Sequence, residues 1–285
     1  MTTTAPPLAL APEPHPFDAA VALQPIGPHR CSGHSHPGYW NMVGPYGGIT
    51  AALMLQAVLQ HPDRLGEPLA LTVNYAAATA EGPFEITATP VRTNRSTQHW
   101  VVTLSQPGAD GMPQVGTSAT VVTAIKRDTW AASDTPMPAT PAAATLARAD
   151  RTAAGVAWLQ RYDVRPVDGD IPRQWDGATN HSRTLMWAAD APARTPCFAG
   201  LAALADVFFP RIWLKRATLV PVGTVSMTVY FHTSAAQLAE NGPAHLLAQA
   251  TGQEFRHGFF DHSGQLWRAD GLLLATTHQI VYFKG

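Results

Sequence analysis

The chain has 285 residues, 46% of them apolar and only 14% charged, with a formal net charge of −1. That length allows one large domain or two ordinary ones, and the charge balance offers no bulk attraction to nucleic acid or to an anionic membrane. No apolar run approaches the roughly 18 residues of a membrane span, and two cysteines without CxxC spacing, Cys31 and Cys197, argue against a disulfide framework and for a reducing, cytoplasmic location.

The first 29 residues, rich in Ala and Pro, read as a flexible tail without the basic start and apolar stretch of a secretory signal. A first unit is expected over 30–126. It opens with a strand around Trp40, followed by a helix over Gly47–Leu59, GGITAALMLQAVL, interrupted only by Thr50 and Gln56. Strands rich in Val, Ile, Thr and aromatic residues then start near Leu69, Phe84, His99 and Val115. Residues 127–157, dominated by Ala, Pro, Thr and Ser, read as a surface linker with a short helix near Thr145–Ala154.

The region 158–285 repeats the plan. One strand precedes a second helix, at Arg161–Val167 or Thr184–Ala188. The helix is written through Pro196–Pro210, PCFAGLAALADVFFP, and strands follow near Gly223, His245, Gln265 and Gly271. TVNY at Thr72 matches TVYF at Thr228, and EGP at Glu81 matches NGP at Asn241. Helices that are apolar all round must be covered on most sides, so each half is expected to be an α+β unit in which a curved antiparallel sheet wraps a central helix. Two such units make a double hotdog; two unrelated α+β domains sharing a plan are the alternative.

Asp206 is the only charged residue in Pro196–Pro210. A carboxylate among apolar neighbours needs partners or takes up a proton, which makes it the leading candidate for a site. Laying Gly48 on Gly200 puts Met54 where the second half has Asp206, so one working site per chain is expected. Backbone amides at the helix starts, Gly47, Gly48 and Ile49 in one half and Ala199 and Gly200 in the other, could receive a developing oxyanion.

GPYGGITAALMLQAV, LAALADVFFP, GTVSMTVYFH and GLLLATTHQIVYF together resemble segments of the type II acyl-CoA thioesterases, a double-hotdog family. The resemblance runs from about Gly33 to Phe283. It implies hydrolysis of an acyl-CoA by a water that Asp206 activates and that Thr224 and Gln279 position. Coenzyme A would enter as part of the substrate, with no cofactor or metal, and the protein would form a homo-oligomer. Strict alternation along the strand at Gly223 places Thr224 on the polar face, away from Asp206, unless a bulge intervenes.

His34 and His36, and His257 and His262, read as loop polarity rather than metal ligands, and Arg211, Lys215 and Arg216 as surface charges. A hotdog enoyl-CoA hydratase and a non-catalytic acyl-binding protein remain as alternative functions.

Overall fold

The computed structural model describes residues 13–285. The first half comprises α1 (Pro16–Ala20), β1 (Gln24–Gly27), β2 (Arg30–His34), α2 (Gly47–Leu59), β3 (Glu67–Tyr75), β4 (Pro83–Thr93), β5 (Thr97–Pro107) and β6 (Pro113–Ala124). The second comprises β7 (Tyr162–Asp168), β8 (Thr184–Asp190), α3 (Phe198–Leu204), α4 (Arg211–Arg216), β9 (Val222–Phe231), α5 (Ala235–Glu240), β10 (Leu246–Arg256), β11 (Phe259–Trp267) and β12 (Leu273–Phe283).

All twelve strands form one antiparallel sheet in the order β1-β2-β4-β5-β6-β3-β9-β12-β11-β10-β8-β7. Read from its centre outwards, each half uses its strands in the same sequence, so the halves are related by an approximate twofold at the β3–β9 seam. Thr72 pairs with Thr228 on that axis, and their hydroxyls meet at 3.0 Å. The internal pairing gives each half's inner edge a partner within the chain.

Helices α2 and α3 pack against each other between the two half-sheets. Sheet on one side and helix on the other explain why Ala51, Ala52, Met54, Leu55 and Val58 are all fully buried. Close approach demands Gly48, where a Cβ would lie 2.5 Å from the Ala203 carbonyl oxygen. The Tyr46 hydroxyl donates to that same oxygen at 2.7 Å.

Several expectations need correction. Of the supposed tail, residues 1–12 lie outside the described residues, but 13–29 contain α1 and β1, and Phe17 is fully buried. The strand expected around Trp40 is β2; Trp40 itself makes only an isolated bridge to Pro45. Both candidate strands before the second helix exist, as β7 and β8. The linker contains single 3-10 turns at Ala143–Thr145 and Thr152–Ala154 rather than a helix. It packs Met137, Ala143 and Leu146 onto Leu185, Trp187, Leu247 and Trp267. Carbonyls of Thr135 and Pro141 accept from the indoles of Trp267 and Trp187. This apolar outer face is covered by chain instead of water, which is why its tryptophans could be kept.

Candidate active site

The second central helix is shorter than its apolar run. It ends at Leu204, and the chain tightens into i→i+3 bonds, with the amides of Asp206 and Val207 donating to the carbonyls of Ala203 and Leu204. Pro210 forbids a continued helix, and Asp206 therefore sits in the exit turn of α3. The negative end of its own helix disfavours a carboxylate there. The start of α2, contributed by the other half, compensates: the Gly48 amide lies against the carboxylate and favours its charged form. A side chain at Gly47 would put its Cβ 2.8 Å from Asp206 Oδ2, so this approach requires glycine.

Gln279 comes from β12 and donates from Nε2 to Asp206 Oδ1 at 2.7 Å. The same amide nitrogen also lies 3.4 Å from Met227 Sδ. Thr224 Oγ1 donates to Gln279 Oε1 at 3.5 Å, a long bond. Thr224 reaches inward because the ladder between β9 and β12 slips: Ser226 pairs with Ile280 and Thr224 with Val281, leaving Val225 as a bulge. Val225, which alternation would place inside, is 40% exposed. Sequence alternation failed here because the extra residue inverts the pleat.

Asp206 keeps 9% of its surface and Gln279 3%. Burial pushes the Asp206 carboxyl up to about 7, while the Gln279 hydrogen bond and the Gly48 amide hold it down. The group is therefore poised to exchange a proton near neutrality, the range a general base needs. Tyr75 Oη donates to the Gly47 carbonyl at 2.9 Å and fixes the first peptide of α2; Tyr46 and Tyr75 both feel the Asp206 charge. Neither tyrosine was assigned a role from sequence, although each lies within a segment that was quoted, GPYGGITAALMLQAV and TVNY.

The two helix starts separate in role. Gly47 and Gly48 face Asp206. The Ile49 amide donates to the Tyr46 carbonyl at 3.1 Å, so it is committed to the turn. Ala199 and Gly200 lie at the opposite end of α3, about 9 Å away along the helix axis at 1.5 Å per residue. There the Gly200 amide donates to Cys197 Sγ at 3.4 Å, and the nearest other side chains belong to Arg194 and Asp190. They form no part of the Asp206 cluster.

Other assignments also change. His262 is not loop polarity: it lies in β11, 2% exposed, paired across the ladder with Gln279 and edge-on to Phe208. Neither ring nitrogen has a partner, and burial drives its pKa down to about 3, so the ring is neutral. Arg211 is not a surface charge. It is fully buried, donates to Thr184 Oγ1 and to the carbonyls of Ser182 and Phe209, and burial lowers its pKa to about 9. His36 caps the turn at Pro37–Tyr39 through Gly38. His278 points outward to Asp261 at 2.9 Å.

Among the described residues no helix is long and apolar enough to cross a membrane. No relative was found among curated proteins. Among solved structures, the chain is 44% identical to a conserved hotdog protein of unknown function from Alicyclobacillus acidocaldarius, over 96% of this chain and 99% of that one, with a TM-score of 0.89. An acyl-CoA thioesterase II, TesB2, from Mycobacterium marinum shares the fold at 16% identity, covering 94% and 98%, with a TM-score of 0.72. A TesB protein from Mycobacterium avium subsp. paratuberculosis does so at 17% identity, covering 94% and 98%, with a TM-score of 0.72. Residues 36–125 match the acyl-CoA thioesterase N-terminal domain and residues 136–283 the C-terminal domain. With both domains present in order on a double-hotdog framework, the chain belongs to the acyl-CoA thioesterase family.

Proposed function

We propose that the protein hydrolyses an acyl-CoA thioester to the free acid and coenzyme A at the Asp206 cluster. The observation that carries this reading is a buried carboxylate held by Gln279 at 2.7 Å against the Gly48 amide of the opposing helix start. Ionised Asp206 takes a proton from water as the water oxygen bonds to the thioester carbon. Gln279, gripped between Asp206 and Thr224, fixes the carboxylate's orientation, and Thr224 completes the polar wall beside the water. Negative charge on the carbonyl oxygen is received at the start of α2, at the Gly47 amide, since the Gly48 amide already serves Asp206. The carbon–sulfur bond then breaks, and the proton held by Asp206 passes to the departing thiolate, a good leaving group that needs no strong general acid.

A reducing, cytoplasmic setting goes with this reading, since Cys31 and Cys197 are both free thiols. Self-association does too, and sedimentation velocity tests it.

Thiol release from a panel of acyl-CoAs is the direct test. Asp206→Asn keeps the shape of the site but removes the base, and is expected to lower kcat at least about 10³-fold with an unchanged circular-dichroism spectrum. Parental rates in that variant sink the assignment. Failure of the parent to release thiol from any acyl-CoA favours the acyl-binding alternative, and hydration of crotonyl-CoA favours the hydratase.

A further inference from the structure

A small cavity adjoins the exit turn of α3. Its volume is about 30 Å³, and its walls include Trp158, Tyr162, Val164, Met186, Val207 and Phe209. Its only charged wall residue, Arg151, is already paired with Asp170. Three features place the cavity beside the candidate centre. Val207 follows Asp206 directly in the chain. Trp158 stacks on Tyr46 at 4.1 Å between ring centroids, and Tyr46 is the residue from which α2 starts toward Asp206. Tyr162 stands edge-on to Tyr46, with centroids 5.9 Å apart.

We propose, resting on the thioesterase reading, that this cavity receives the acyl tail and restricts the substrate to short acyl chains of about two to four carbons. The chemistry of the walls selects between the two arms of a thioester. The pantetheine arm carries amides whose burial against aliphatic and aromatic walls would leave them unpaired. An alkyl tail has no such cost. Volume then sets the length: a water-sized group occupies about 10–15 Å³, so at most about two or three such groups fit beyond the single carbonyl carbon held at Asp206. Met186 stands on β8, 3% exposed, and is built into the sheet on both sides, through Ala248 and Pro166, so the cavity floor is rigid.

The test compares kcat/KM for acetyl-, butyryl-, hexanoyl-, octanoyl- and palmitoyl-CoA in the parent, Met186→Ala and Val164→Leu. The ratio between chain lengths is the readout, because a general loss of folded enzyme lowers every substrate alike. The parent should favour acetyl- or butyryl-CoA over octanoyl-CoA by at least about 10-fold. Met186→Ala removes three heavy atoms and should move the optimum two or more carbons longer; Val164→Leu should sharpen the preference for acetyl-CoA. A parent that hydrolyses palmitoyl-CoA as well as butyryl-CoA overturns the proposal, as do variants with the parental length profile. Those outcomes leave an Asp206-dependent hydrolase standing. Loss of no activity in Asp206→Asn, or no thiol release at any length, instead overturns the hydrolase reading and this proposal with it.

Discussion

Two ends of the molecule share one framework and differ in chemistry. At one end Asp206 meets Gln279, which Thr224 contacts in turn, beside the start of α2. The approximate twofold that matches Thr72 to Thr228 carries Thr224 onto Pro68, and the ladder partners carry Gln279, opposite Met227, onto Val121, opposite Leu71. Even the bulge is repeated: β3 slips between Pro68 and Ala70, leaving Leu69 42% exposed as Val225 is 40% exposed. Met54 stands in the place of the carboxylate and is fully buried. Ala199 stands in the place of Gly47. The comparison teaches that the bulge and the crossed helices belong to the fold. The proposed reactivity rests on three side chains that are present together at only one end.

The most severe way to break this comparison is Met54→Asp. It buries a carboxylate with neither a Gln nor a glycine approach to receive it, and should cost at least about 3 kcal/mol in urea denaturation without adding thioesterase activity. A second active centre in that variant would show that position alone suffices. Next in size is Gln279→Leu, which makes the working end resemble Val121. It should lower kcat about 10²-fold and raise the pH at which activity appears, because the amide no longer favours the charged carboxylate. In the parent, kcat/KM should climb as pH rises toward about 7 and level off above it, as Asp206 ionises.

The same titration has a stability consequence. The folded carboxyl sits at about 7 and the unfolded one near 3.8. Between those values the folded state holds a proton that the unfolded state has lost, so folding stability falls as pH rises, at about 1.4 kcal/mol per pH unit. Asp206→Asn removes that loss. Its melting temperature relative to the parent should rise from pH 4 to pH 7 and then stay constant; a constant difference throughout would show that Asp206 is ionised in the folded state across that range. The smallest effect belongs to Thr224→Val, which removes one long hydrogen bond and should reduce kcat about 10-fold or less.

Much of this was legible in the residues. The helix over Gly47–Leu59 keeps its boundaries in the structure, because an apolar run led by two glycines and interrupted only by Thr50 and Gln56 must bury nearly all of its surface. Internal correspondence of TVNY with TVYF marked the seam where the halves pair. Asp206 was identifiable because a lone carboxylate in an apolar segment needs a partner, whereas Gln279 came only from the resemblance of GLLLATTHQIVYF to the thioesterase family. His262 was misplaced because the turn lies at His257–Gly258, so β11 starts at Phe259, six residues before the strand read from Gln265. Arg211 was misread because the Ser182 carbonyl and Thr184 hydroxyl that receive it lie 29 and 27 residues away in the chain, where no local pattern connects them to it.

Apolar runs and the repeated plan pointed to a double hotdog with an acidic residue beside its second central helix, since burial of all-round apolar helices is a local demand that any chain must meet. Which helix start faces Asp206, on which side Thr224 falls, and how much room lies beside Val207 were decided by the tertiary structure alone. Those features depend on helix crossing and on a one-residue slip in a ladder between distant strands. Such contacts leave no period in the sequence, because they arise only when the two halves close on each other.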